Sequence, residues 1–175
     1  MGTEDCLNRH DFELVPKKIR PYFEITRQNK DGDNGIIEGV LTCCNARDFE
    51  VFAVGEIKHR LFSRMFLYPE NGKIVFEVRC KKCGKVISVI NSRTDGYGQC
   101  GKSFPDIDVS TQLIECVKCR SENFSVMIKY EYPDVQELQE LEVTDIENAF
   151  TWIWITLKCN KCGIGYKNFI DCETD

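Results

Sequence analysis

Residues 155–163 read ITLKCNKCG, and residues 76–84 read FEVRCKKCG. Each stretch joins an apolar, strand-like run to a Cys-x-x-Cys pair that a glycine follows directly. Two cysteines separated by two residues can reach one metal ion from a single tight turn, and glycine supplies a backbone conformation that a side chain resists. The two stretches therefore predict two metal-binding turns, each at the end of a β-strand.

The similarity between these stretches extends into two longer segments of the chain. Residues 40–44 (VLTCC) align with residues 113–119 (LIECVKC), and each copy places a phenylalanine five residues after its last cysteine, at Phe49 and Phe124. Such self-similarity indicates a tandem repeat. The predicted organisation is an N-terminal extension (1–35), a first unit (36–95), a linker (96–110) and a second unit (111–175) with an acidic insertion (131–150).

Both units are predicted to be mainly β, with a small helical content. Apolar residues alternate with more polar ones over residues 124–130, which is the period of a strand with one buried face. Residues 68–72 contain an Asn-Gly pair and predict a hairpin turn. Thr144 and Glu147 fit a capping box, which predicts a short helix ending near Phe150.

Composition restricts the class of protein. The 175 residues include 11 cysteines, yet no apolar stretch approaches the roughly 20 residues needed to span a bilayer. The first thirty residues lack the pattern of a signal peptide, so we expect a cytoplasmic protein that does not bind membranes. Cysteines in a reducing cytosol bind metal or stay free, and an odd number with repeated Cys-x-x-Cys spacing favours metal over disulfides.

This cysteine pattern resembles the zinc-ribbon (zinc β-ribbon) class, in which two cysteine turns at the ends of antiparallel strands hold one ion. The resemblance covers both units and implies Zn²⁺ as the cofactor, although iron at a four-thiolate site stays open. The gap of 39 residues between the two turns of the second unit requires an inserted hairpin or helix. The implied ligands are Cys116, Cys119, Cys159 and Cys162 as a full set, and Cys80 and Cys83 as one turn of the first unit.

The first unit departs from this pattern because Cys43 and Cys44 are adjacent. Neighbouring side chains do not converge easily on one ion, which leaves three alternatives. Both cysteines bind in a strained site, another residue such as Cys100 or His59 completes the site, or the unit holds no metal. In chain order the four pairs form the first to fourth cysteine turns. Pairing of the second turn (Cys80 and Cys83) with the third turn (Cys116 and Cys119) also has workable spacing, but the repeat favours pairing within each unit.

No catalytic residue or small-molecule substrate is predicted. Four thiolates around one ion leave no open coordination position, so such a metal is structural. His10 and His59 belong to no catalytic motif, and we expect a binding protein rather than an enzyme. Thiol redox chemistry or metal transfer is a weaker alternative, because these pairs adjoin strands and not helix N-termini. The remaining cysteines, Cys6, Cys100 and Cys172, are interpreted as free packing thiols.

Trp152 and Trp154 are the candidate partner-binding residues. They share one side of a predicted strand whose other side is aliphatic, and exposed tryptophans favour a protein partner. Alternatively, this side packs against the acidic insertion or the first unit. Nucleic-acid binding is the rival function, but the net charge of -5 argues against it. The basic residues beside the cysteines are interpreted instead as compensating thiolate charge: Arg79, Lys81, Lys82, Lys118, Arg120, Lys158 and Lys161.

Overall fold

The computed structural model describes residues 14–31, 34–60, 64–69, 73–92, 94–95, 110–134, 138, 140 and 142–174. Within these residues the chain is mainly β, as predicted from the sequence. Two short 3₁₀ turns span Arg20–Tyr22 and Ile146–Asn148. The strands are β1 (Phe23–Asp31), β2 (Asn34–Leu41), β3 (Phe49–Val54), β4 (Glu56–Arg60), β5 (Arg64–Tyr68), β6 (Val75–Cys80), β7 (Val86–Asn91), β8 (Gln112–Leu113), β9 (Phe124–Tyr132), β10 (Trp152–Cys159) and β11 (Gly165–Glu173).

Nine of these strands form one antiparallel sheet. Its central path runs β1-β2-β9-β3-β6-β7, β10 pairs with both β9 and β11, and β8 pairs with β3. Strands β4 and β5 form a separate hairpin. Strands from the two predicted units therefore alternate within a single sheet. The domain boundaries proposed from the sequence stay a prediction.

The same strand register occurs twice in the sheet. The group β3-β6-β7 and the group β9-β10-β11 each place a phenylalanine at the start of one strand opposite the cysteine that ends the next strand. Each group also contains one register shift between its second and third strands. The corresponding pairs are Phe49 opposite Cys80 and Phe124 opposite Cys159, then Val78 opposite Ile87 and Leu157 opposite Tyr166.

Each of these groups pairs with one strand from the other half of the chain. Strand β2, which precedes the first cysteine turn, pairs with β9, and β8, which precedes the third turn, pairs with β3. Where the two groups meet, Phe49 lies opposite Phe124, its own aligned counterpart. The two groups of strands therefore contact each other through residues that align in the sequence.

The core lies inside the curl of the sheet. Inward-facing residues alternate with outward-facing ones, as predicted. On β9 every second side chain is buried, and those between are more exposed. Phe76 on β6 and Phe169 on β11 belong to strands that do not pair with each other, yet their ring centroids are 6.2 Å apart. Residues before β1 join the same core, because Val15 and Ile19 are fully buried. The segment predicted as an extension thus contributes to the core.

Two local predictions are changed by the structure. The residue that precedes the second 3₁₀ turn is Asp145 rather than Thr144, and no side chain caps this turn, so the predicted capping box is wrong. Glu147 is instead buried and forms an ion pair with Lys17 at 2.7 Å. Of the predicted hairpin turn at 68–72, residues 70–72 lie outside the described residues.

Candidate metal centres

Three of the four cysteine turns share one backbone conformation. In each, the residue after the second cysteine has a positive φ, and its N–H donates to the carbonyl of the first cysteine. Glycine occupies this position at Gly84 and Gly163, both with φ of 75°, as the sequence predicted. The third turn has Arg120 there instead, at φ of 59°. The Cys-x-x-Cys turn is therefore formed even where glycine is missing.

The remaining turn, which is the first in chain order and contains Cys43 and Cys44, shows how adjacent cysteines can face one point. Cys43 and Ala46 exchange both backbone hydrogen bonds, at 2.9 Å each, which closes a two-residue hairpin loop. Cys44 and Asn45 occupy the loop, with φ of 56° and 58°. Positive φ at both central positions is the requirement of a type I′ turn. This reversal brings the Sγ atoms of Cys43 and Cys44 to 3.8 Å from each other.

The structure brings the eight predicted cysteines together as two groups of four. The first group is Cys43, Cys44, Cys80 and Cys83, and the second group is Cys116, Cys119, Cys159 and Cys162. Within each group all the Sγ atoms lie within 4.8 Å of one another, so each group could hold a metal ion. The alternative pairing of the second and third turns is not the arrangement found. Within the described residues, His59 belongs to neither group, and Cys100 lies outside those residues.

The sulfur spacing suits a tetrahedral ion. Four sulfurs at about 2.3 Å from a zinc ion stand about 3.8 Å apart. In the second group the Sγ atoms of Cys116 and Cys162 are 3.6 Å apart, as are those of Cys119 and Cys159. In the first group the Sγ atoms of Cys43 and Cys83 are also 3.6 Å apart. A disulfide requires about 2.05 Å, so these are free thiols at metal-binding distance.

A tyrosine hydroxyl lies against the second group. Tyr166 Oη is 3.1 Å from the Sγ atom of Cys116 and accepts a hydrogen bond of 3.0 Å from the backbone N–H of Val117. The sequence did not reveal this contact, because only the strand register shows that the Tyr166 side chain reaches the third cysteine turn. The matching position on β7 is Ile87, which has no hydroxyl.

In each group the pKa of one thiol is lowered and the pKa of at least one other thiol is raised. Burial opposes ionisation of Cys116, but hydrogen bonds from Tyr166 and from turn N–H groups outweigh it and lower its pKa to about 6. The N–H of Lys85 is the main cause of the lowered pKa of Cys83, about 7. Burial raises the pKa of Cys43 to about 12. For Cys119, the N–H of Ser121 acts to lower the pKa, yet burial and neighbouring thiols raise it to about 12.

This division has a physical cause. Four thiolates crowded together repel one another, so the first to ionise makes the next ionisation harder. A divalent cation among the four sulfurs removes that repulsion and releases the remaining protons. Burial and the neighbouring thiols thus both oppose ionisation of the remaining cysteines in the absence of a cation.

A hydrogen-bond network joins the two sites. Asp48, four residues after the first turn, accepts hydrogen bonds from the side-chain amides of Asn123 at 3.0 Å and Asn160 at 3.1 Å. Its carbonyl also accepts from the N–H of Lys81, inside the second turn, at 2.9 Å. Asp48 therefore contacts one turn from each group. Sequence analysis overlooked this residue, although it and Asn123 align directly before the two phenylalanines.

Four of the predicted basic residues have local partners: Arg79, Lys81, Lys82 and Arg120. Arg79 pairs with Glu50 at 2.6 Å, and Arg120 pairs with Glu115 at 3.1 Å. Lys82 Nζ donates to the carbonyl oxygen of Cys44 at 2.9 Å, which ties the second cysteine turn to the first. Carboxylates thus neutralise part of the positive charge around the cysteine groups.

Trp152 and Trp154 lie on the outer face of β10, because the aliphatic residues between and after them are buried. The two indole rings stack with centroids 5.6 Å apart and an interplanar angle of 17°. Trp152 Nε1 donates to Asp171 Oδ1, and Lys129 Nζ lies 4.2 Å from the centroid of Trp154. These partners belong to the flanking strands. Both tryptophans are half-buried, so part of this stacked pair is accessible.

Of the three cysteines left over, Cys172 is buried and its thiol donates to the carbonyl oxygen of Glu173 at 3.2 Å, whereas Cys6 and Cys100 lie outside the described residues. Comparison of the chain with protein-family models, curated proteins and solved structures found no match. The likeness to zinc ribbons therefore rests on the cysteine turns themselves.

Among the described residues, no helix has the length and apolar character needed to cross a bilayer.

Proposed function

We propose that this chain is a zinc-binding protein in which two structural zinc ions support a protein–protein interaction surface. One observation carries the proposal: eight cysteines, distant in sequence, converge as two groups of four with Sγ atoms within 4.8 Å of one another. Cysteines that only pack the core would not be expected to converge twice at the sulfur–sulfur distance of a tetrahedral zinc site.

A structural role for the metal follows from the ligand set. Four thiolates fill all the coordination positions of tetrahedral zinc, so no position is left for water or substrate. The same ions would link turns that are distant in the chain, for example Cys43 to Cys83, which are 40 residues apart. Binding energy at such a site contributes directly to folding.

Elemental analysis of the purified protein tests the metal claim. We expect two zinc ions per chain and no colour, since iron in a four-thiolate site absorbs visible light. The paired variant Cys43→Ser, Cys44→Ser should retain one ion, and Cys159→Ser, Cys162→Ser should retain the other. Cys172→Ser is the matched control, because this buried thiol belongs to neither group, and it should retain both ions. A metal-free wild-type protein would refute the proposal.

The interaction surface is proposed to centre on Trp152 and Trp154. Stacked, partly accessible indoles offer a large rigid contact area at low entropic cost, and tryptophan is enriched where interfaces take their energy. A partner retained by the wild-type protein should be lost with Trp154→Ala while the zinc content stays at two. Retention of the same partner by this variant would place the interface elsewhere.

Nucleic-acid binding is the alternative, and one observation favours it: Lys129 lies against the Trp154 ring, so a cation and an aromatic surface occur together. This alternative requires salt-dependent retention on single-stranded nucleic acid, weakened by Lys129→Ala. Absence of retention at low ionic strength removes it and leaves the protein-interaction proposal.

A further inference from the structure

The two cysteine groups differ in how accessible their sulfurs are. The first cysteine of every turn is buried in both groups. The second cysteines differ, since Cys44 and Cys83 are exposed, whereas Cys119 and Cys162 are only partly exposed. An ion in the first group would therefore have one sulfur–sulfur edge facing solvent. The corresponding edge in the second group is partly covered.

The polar surroundings of the sulfurs differ as well. In the second group Tyr166 Oη contacts the Cys116 sulfur and is itself fixed by the N–H of Val117. A hydroxyl that donates to a ligating thiolate orients it and reduces its tendency to leave the metal. Ile87 occupies the equivalent position of the first group and cannot form this contact.

The turn that holds the first group is also strained. Cys44 and Asn45 both have positive φ, a conformation that non-glycine residues rarely adopt, although asparagine tolerates it better. The second group has one such residue, Arg120, in its two turns. The cysteine turns of the first group therefore contain one more non-glycine residue at positive φ than those of the second group.

We propose that the first group is an exchangeable zinc site, which delivers its ion to or receives it from an external thiol-bearing acceptor, whereas the second group holds its ion permanently. This inference rests on the proposed function, in that both groups must bind zinc. The acceptor thiolate approaches through the exposed edge between Cys44 and Cys83. In each of several successive exchanges, an acceptor thiolate would form a bond to zinc and the bond to one cysteine of the group would break. The released cysteine thiolate would take up the proton that the acceptor thiol gave up. Zinc remains Zn²⁺ throughout, so no oxidant or reductant is involved.

The exchange is measured on the wild-type protein after it has been loaded with zinc to two ions per chain, as verified by elemental analysis. Excess of a chromophoric chelator is added, and zinc release is followed by absorbance. We expect two phases of one equivalent each, with rate constants that differ by about 10–100-fold, the size of effect typical of contacts around metal ligands. Release of both ions in one phase would overturn the proposal while leaving the two-zinc function intact.

Alkylation identifies which group empties first without any substitution. After one equivalent has been released, free thiols are trapped with iodoacetamide and mapped by mass spectrometry. We expect labels on the first group, with the second group protected. Labels on Cys159 and Cys162 instead would overturn the assignment. Failure of the first group to take up zinc at all would overturn both this inference and the two-ion count.

Reciprocal substitutions test the cause. Tyr166→Phe should accelerate the slow phase about 10-fold or more, and Ile87→Tyr, which offers the first group a hydroxyl, should slow the fast phase. Cys172→Ser is the control and should leave both phases unchanged. If Tyr166→Phe leaves the slow phase unchanged, the hydroxyl does not retain the ion, and the structural basis of the proposal is wrong.

Discussion

Gly163→Ala compared with Gly165→Ala isolates the backbone conformation of a cysteine turn. Both glycines are exposed, and a Cβ at either position would have no heavy atom within 4 Å. They differ in φ, because Gly163 is at 75° and Gly165 lies in ordinary strand conformation. Any difference in the stability of the two variants therefore reports the conformation and not packing.

The magnitude follows from two opposing effects. An alanine at positive φ costs roughly 1–2 kcal/mol in the folded state. Replacing glycine restricts the unfolded chain and returns roughly 0.4–1 kcal/mol at either position. Gly163→Ala should therefore destabilise the protein by about 1 kcal/mol, and Gly165→Ala should be neutral or stabilising. The difference between the variants should be about 1–2 kcal/mol.

Urea unfolding at a fixed concentration of free zinc measures this difference, since bound metal shifts apparent stability by mass action. With a urea dependence of about 2 kcal/mol per molar, the midpoints should differ by about 0.5–1 M. Gly84→Ala, at the same φ and equally free of contacts, should repeat the effect of Gly163→Ala. Equal midpoints for Gly163→Ala and Gly165→Ala would refute the assigned role of the glycine.

Three further substitutions address individual side-chain contacts, two at the cysteine sites and one at the Lys17–Glu147 ion pair. Tyr166→Phe leaves the Val117 N–H without its hydroxyl acceptor and should cost about 1–3 kcal/mol in urea unfolding, whereas an unchanged midpoint would show the contact to be dispensable. Asp48→Ala removes the acceptor that joins the two sites and should cost about 1–2 kcal/mol, with Asp48→Asn losing less. Hydrogen bonding to Lys17 lowers the pKa of Glu147, so this ion pair contributes to folding stability at pH values above the usual glutamate pKa near 4.3. That contribution is lost as the pH falls from there through the lowered pKa of the folded state. The stability gap between wild type and Glu147→Gln should therefore be constant near neutral pH and shrink below about pH 5, and a gap that widens on acidification would contradict this.

The sequence revealed the parts of the site that depend on local spacing. A Cys-x-x-Cys-Gly turn is encoded within five residues, and the alternation on β9 is visible in its own sequence, so both could be predicted. The adjacent pair Cys43 and Cys44 could not be resolved, because its geometry depends on two positive φ values within a two-residue loop. Tyr166 was missed for a different reason, since its contact with Cys116 spans 50 residues and depends on register.

The pairing of strands between the two halves of the chain explains why the similarity of the two segments was easier to detect in the sequence than the arrangement of the strands. An alignment identifies which segments correspond, but it does not indicate whether a strand pairs with its own copy or with the other one. Strand β2 is followed by the first cysteine turn, and it pairs with β9 of the other half, while β8 pairs reciprocally with β3. Each half therefore contributes its own four cysteines but depends on the other half to complete its sheet. Because Asp48 contacts both sites at the point where the halves meet, zinc bound at either group would stabilise the sheet that both groups share.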